Sequence, residues 1–282
     1  MKLLFAFMFV LLSLNITGAL QKQKQESLHI PVNDIPEKER AYKDGECLIY
    51  KIYYEWGMIK SDVGEAKATL IRQKDTLYGD HFHSIVTGRT YKFYDLFFKI
   101  RDFFESKFNT INGRPYYFHR EIAEGRYRMK NTYYFNKDYS IQANVQRKSD
   151  PVIDTLLKAK KHTFDIVSLF YFVRNFDFSQ TPIGVNQPIS FAIDNEVFDL
   201  YYRFEGKETI RVPGKGYFNT LKFAARVVSG EVFSGDQELV LWVSDDKNKI
   251  PLYFETPIKV GRVIGRINNF ENLKFPLTSK IK

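Results

Sequence analysis

The 282-residue chain has a single cysteine, Cys47, so it cannot form an intramolecular disulfide. Its stability must come from a hydrophobic core, which a chain of this length supplies readily. Past the N-terminal stretch, no run approaches the ~18 consecutive apolar residues of a membrane-spanning helix. There is no Lys/Arg block, no nucleic-acid-binding motif and no fixed-period repeat. The 42 Lys and Arg against 33 Asp and Glu give a formal charge of +9. Scattered among acidic residues along alternating segments, they read as a solvated sheet face. An anionic partner, such as lipid headgroups or an acidic glycan, is the weaker reading of the same excess.

Catalytic signatures are equally scarce. There is no GxSxG elbow, no HExxH and no GxxxxGK[ST]; GKG at Gly214 to Gly216 and GRVIG at Gly261 to Gly265 open no helix and read as turns. Cys47 falls inside an alternating strand, where it acts as a small packed residue. His81 and His83, two apart on one strand face, and His119 on another strand lack a carboxylate or further His at zinc spacing. Neither a metal nor a cofactor is therefore expected. Glu121 with Glu124, and Asp62 with Glu65, are acid pairs of the type that glycoside hydrolysis places across a cleft, or else ordinary surface charge.

What is present begins with MKLLFAFMFVLLSLNITGAL. A basic Lys2, an apolar run from Leu3 to Leu14 and the small residues Thr17, Gly18 and Ala19 match a secretory signal peptide over residues 1–19. The expected product is a bacterial protein of the periplasm or the secreted fraction, with at most peripheral membrane association. A polar lead-in at 20–43, containing Pro31, Pro36 and PEKER, is expected to be poorly ordered.

Order begins at DGECLIYKIYYEW, where Leu48, Tyr50, Ile52, Tyr54 and Trp56 form the apolar set of a period-two strand. VGEAKATLIRQ, HFHSIVTGRT, KIRDFFESKFN, RPYYFHREIAE, RYRMKNTYYFN and YSIQANVQRK follow in the same manner, separated by Gly, Asn and Asp turns. The period then changes. Ile166, Leu169, Phe170 and Val173 have the i, i+3, i+4, i+7 spacing of one helix face, with Asp165 at its start, which predicts a helical connector near 165–174. Strands resume from PISFAID to KVGRVIGRINNF. The fold class is mainly β: a large curved antiparallel sheet or open barrel-like meander, with one packed helix, in a single domain at 44–275. Two sheets sharing a core are the other arrangement. In LWVSDDKNKIPLYFETPIKVG, Ser244, Asp245 and Asp246 lack the Gly and distal Glu of a calcium loop, so this stretch reads as a hairpin.

GECLIYKIYYEWGMIKSDVGEAKATL, RDFFESKF, VPGKGYFNTLKFAARVVSGEVF and the closing LWVSDDKNKIPLYFETPIKVGRVIGRI, in this order, resemble the bacterial domain-of-unknown-function family numbered 3108. The Lys, Asn, Tyr and Phe richness is similar to that of Bacteroidetes secreted proteins. The resemblance implies an exported, mostly β protein and carries over no catalytic residues. The expected function is non-catalytic binding of an apolar or amphipathic, lipid-like ligand or of a protein partner in the cell envelope. The alternative is an envelope glycan hydrolase using a Glu/Asp pair. The aromatic set Phe93, Tyr94, Phe97, Phe98, Phe103 and Phe104 is the candidate lining for an apolar ligand, or simply core filling.

Overall fold

The computed structural model describes residues 34–226, 238–258 and 260–281. The expected signal peptide and the turn read at Ser234 to Asp236 lie outside the described residues. The first arm of the fold contains β1 (Cys47–Trp56), β2 (Ile59–Asp75), β3 (Gly79–Thr90), a single helical turn α1 (Lys92–Asp95), β4 (Arg101–Asn109), β5 (Pro115–Glu124), β6 (Tyr127–Phe135), β7 (Ser140–Arg147) and β8 (Ile153–Lys158). Then come β9 (Thr163–Phe164) and α2 (Ile166–Phe172), which ends in a 3-10 turn over Val173–Asn175. The second arm holds β10 (Asn186–Ile193), β11 (Glu196–Val212), β12 (Gly216–Arg226), β13 (Glu238–Ser244), β14 (Pro251–Pro257), β15 (Arg262–Glu271) and the short β16 (Lys280–Ile281).

Among the described residues these strands form one sheet, in the order β8 to β1 followed by β15 to β9, with β16 beside β12. Both arms are therefore hairpin meanders, and they meet where β1 pairs antiparallel with β15. Tight turns between successive strands dictate antiparallel pairing; the parallel pair is β9 with β10, which the helical connector separates. Register shifts interrupt β1–β15, β1–β2, β4–β5, β11–β12 and β13–β14. Each adds local twist, and together they coil the sheet.

The coiled sheet stays open, with β8 and β9 at its edges. The β10–β11 turn bridges toward the first arm through side chains. Asp194 accepts a hydrogen bond from Arg120. The Asn195 N–H donates to Tyr133 Oη at 2.9 Å, and its side chain meets Asn131, Thr155 and the Ile153 carbonyl at 3.2 to 3.4 Å.

Alternation sorts the faces. Leu48, Tyr50 and Ile52 are fully buried with Ala68, Leu70, Phe108, Phe118 and Tyr133. Tyr42, Phe82, Phe108 and Tyr171 pack as a ring cluster with centroids 5.0 to 6.5 Å apart. Each such side chain contributes about 1.5–3 kcal/mol on burial. Arg40, Ala41 and Tyr42 are buried, so packed structure begins before the Lys43 limit read from the sequence. Their polar flank concealed an anchoring Tyr.

The helix stands where its period placed it, but it does more than cover one sheet face. Val167, Ser168, Leu169, Tyr171 and Phe172 are all buried. Tyr171 faces Ser84 and Phe108 of the first arm, whereas Leu169 and Phe172 pack with Phe164, Phe191 and Ile193 of the second. Asp165 caps it, accepting from the N–H groups of Val167 and Ser168 at 2.8 and 2.9 Å.

Candidate functional site

One end of the sheet is built differently from its walls. The β1–β2 ladder runs out to Trp56 opposite Ile59, whereas β3 leaves β2 at Gly64 opposite Thr90. The β1–β2 hairpin therefore overhangs its neighbour, and residues 91–100, which connect β3 to β4, pack along the overhang. The Tyr91 N–H donates to the Val63 carbonyl at 3.0 Å, and Tyr94 Oη donates to Ser61 Oγ at 2.6 Å. On the other side, the Gly125 N–H bonds the Lys99 carbonyl at 2.8 Å. Gly125 has φ +54°, and a Cβ there would stand 2.9 Å from the Phe98 ring, so glycine lets that ring seat. The β14–β15 turn reaches the same end, where Tyr54 Oη donates to the Val260 carbonyl at 2.7 Å.

Tyr94 and Phe98 serve as anchors, and the residues between and beside them turn outward. Leu96 is 81 % exposed, Phe97 71 %, Phe93 63 % and Trp56 53 %, and Met58 at the hairpin tip is fully exposed. Phe93 and Phe97 pack on each other with centroids 5.6 Å apart. Large apolar side chains concentrated in this way mark an interaction surface more often than singly scattered ones do.

The acids at this end are already neutralised. Asp95 is clamped by Arg101 at 2.6 and 3.0 Å and accepts from Thr90 Oγ1. The Arg101 hydrogen bonds, followed by that of Thr90, hold its carboxyl at about 2. Glu55 lies between Arg262 at 2.6 Å and Lys60 at 3.2 Å, whose hydrogen bonds keep it below the ordinary carboxylate range. Lys92, Lys99 and Arg126 are exposed, and no salt bridge among the described residues engages them.

The aromatic set read from the sequence thus divides. Phe93, Tyr94, Phe97 and Phe98 belong to this end. Phe104 is a core residue, and Phe103 lies on the opposite face of β4, with His119 6.4 Å away. A single cavity lined by all six is not what the strand allows, because adjacent residues on β4 point to opposite faces. Trp56, Met58 and Leu96, exposed at the same end, lie outside the set read from the sequence. Trp56 continues the apolar alternation of β1, yet the strand carries it past the sheet that would cover it.

The other candidates are structural. His81 is buried with Nδ1 3.0 Å from the Gly79 carbonyl; His83 Nε2 lies 2.8 Å from Glu105 Oε2; and His119 lies 2.8 Å from Thr132 Oγ1. No three His, Cys, Asp or Glu side chains among the described residues are grouped to hold a metal ion. Glu124 is buried, whereas Glu121 lies on the outer face with Lys130 at 2.8 Å. Asp62 pairs with Arg266 at 2.5 Å and Glu65 with Arg89 at 3.2 Å. In the turn after β13, Asp246 Oδ1 accepts from Ser244 Oγ and the Asn248 N–H at 3.0 and 2.9 Å. Asn248 in turn bonds Phe275 through both side-chain atoms. This hairpin ties the C-terminal segment down.

A comparison with curated proteins finds no match. Among solved structures, the chain is similar to the crystal structure of a beta-barrel-like protein of the domain of unknown function DUF1849 from Brucella abortus. The TM-score is 0.53 at 7 % identity, covering 83 % of this chain and 100 % of that one. At that identity the likeness concerns the fold. The sequence model described as "Protein of unknown function (DUF3108)" matches residues 49–267, and the chain belongs to that family.

Proposed function

We propose that this is an exported cell-envelope protein that acts by binding rather than catalysis, docking on a lipid surface through Trp56, Met58, Phe93, Leu96 and Phe97. The observation that carries this reading is the contrast between that end and the sheet's outer wall. The outer face of the strands carries ion pairs such as Glu65–Arg89, Glu121–Lys130 and Arg203–Glu238, with exposed apolar side chains set singly between them, as Ile71 and Tyr134 are, or along the β8 edge, as Ile153 and Leu156 are. A surface of that kind is unsuited to lipid contact along its height, whereas the end offers side chains that each gain about 1.5–3 kcal/mol when withdrawn from water. Anchoring by Tyr94 and Phe98 holds them outward before contact, so little ordering cost opposes docking. The N-terminal signal pattern supports export, and the engagement of Glu121, Asp62 and Glu65 with Lys130, Arg266 and Arg89 supports a non-catalytic role.

The test is flotation of the mature chain with lipid vesicles. The wild type is expected to float with them, and the F93S/F97S variant to lose at least a hundredfold in affinity, corresponding to about 3–6 kcal/mol for the two rings. Its thermal unfolding should stay unchanged, because both rings already face water. A wild type that stays at the bottom of the gradient would overturn the reading and leave a protein partner as the occupant of this end.

A further inference from the structure

We infer that the lipid surface met by this end is anionic, and that Lys92, Lys99 and Arg126 recognise its headgroups; this inference rests on the docking reading above. Lys92 and Lys99 bracket the exposed Phe93, Leu96 and Phe97 in sequence. Arg126 follows Gly125, whose N–H is bonded to the Lys99 carbonyl, so it belongs to the same end. Of the neighbouring acids, Asp95 lies within electrostatic reach of Lys99 but spends its hydrogen bonds on Arg101, so it offsets that charge only in part. Glu55 is shared by Arg262 and Lys60. Among the described residues Lys92, Lys99 and Arg126 are exposed beside the apolar side chains and make no salt bridge.

This combination suits a charged bilayer better than a neutral one. Apolar side chains enter the acyl boundary while ammonium and guanidinium groups stay at headgroup level, their stems lying along the apolar region. Each basic side chain near an anionic surface strengthens binding about fivefold, an effect that fades within a Debye length of the membrane. A face meant for a neutral lipid or a purely apolar ligand would gain nothing from leaving these cations unpaired.

The experiment compares flotation with vesicles of phosphatidylcholine alone and of phosphatidylcholine mixed with phosphatidylglycerol, using the mature chain and its K92Q/K99Q/R126Q variant. The wild type is expected to prefer the anionic vesicles, and the preference to disappear at about 1 M salt, where the Debye length shrinks to about 3 Å. The variant is expected to lose about a hundredfold on anionic vesicles and nothing on neutral ones. Thermal unfolding verifies that both are folded. Equal binding of the wild type to both vesicle types, or undiminished binding of the variant to anionic ones, would overturn the headgroup assignment and leave apolar docking standing. Failure to bind either type would overturn the docking reading and this inference together.

Discussion

At the scale of single residues, the interior holds charges that an apolar core has to satisfy. Arg174 and Glu46 are buried and meet in two hydrogen bonds of 2.6 and 2.9 Å, with Arg174 Nε donating to the Asn248 carbonyl at 3.0 Å. Tyr42, Phe170 and Tyr171 ring the guanidinium. Removing one partner strands the other charge. Glu46→Gln or Arg174→Met should each lower the unfolding free energy by about 3–5 kcal/mol, and the double variant by less than the sum. Urea unfolding of the three variants checks this, and strict additivity would contradict the pairing. Asp102 is a second case. Burial pushes its carboxyl up to about 7, against the pull of the Ala123 N–H and of Arg120 and Arg128. A folded-state value above the unfolded 3.8 means that the folded protein holds the proton longer. The stability it contributes is full below about 3.8 and is lost as pH rises toward 7. Asp165, raised by burial to about 6, acts with the same sign. Asp102→Asn should therefore gain stability relative to wild type as pH climbs through this window. A variant-to-wild-type difference that does not change with pH would refute the assignment.

At the scale of elements, α2 was legible because it combines a helix-face spacing with Asp165 at its N-cap, and both signals are local. The anchors and ends of other elements were less so. β8, Ile153–Lys158, lies ahead of the helix where the sequence reading places no strand; it becomes one because β7 offers an unpaired edge, which no local pattern announces. The turn between β14 and β15 depends on a contact that is also remote in sequence. At Gly261, φ is +93°, and a Cβ would stand 2.3 Å from the Glu55 carbonyl oxygen and 2.9 Å from Trp56 Cβ. Backbone cannot yield as a side-chain tip can. Gly261→Ala should cost about 1–3 kcal/mol in thermal or urea unfolding and displace the Trp56 end of the hairpin, weakening vesicle flotation as well. Unchanged stability would show that the two turns do not brace each other.

At the scale of the whole molecule, an open sheet is kept coiled by its filling and by polar ties such as the clasp at the β10–β11 turn. The β10–β11 turn places Asp194 and Asn195 at φ +50° and +60°, and from there Asn195 reaches Tyr133, Asn131 and the β8 backbone. Short polar side chains tolerate that backbone better than others do, so an Asp-Asn pair suits the position. Asn195→Ala should cost about 1–3 kcal/mol, since Asn131 and Thr155 lose a partner. Hydrogen exchange should quicken in β8 and β10 while β1 to β3 keep their protection. Uniform acceleration would mean that the clasp is not local to the seam.

The sequence by itself determined most strands of both arms and the helical connector, because periodicity, caps and turn residues are properties of neighbouring residues, and its motifs in order were enough for the resemblance to the family. Tertiary structure decided that both arms form one sheet joined at β1 and β15, that α2 fills its interior, and that Phe104 is core whereas Phe93 and Phe97 face water. The physical reason is coverage. A period of two says that alternate residues share a face, but whether a face is covered depends on how far a neighbouring strand extends, and β3 stops at Thr90, short of the hairpin that exposes Trp56 and Met58.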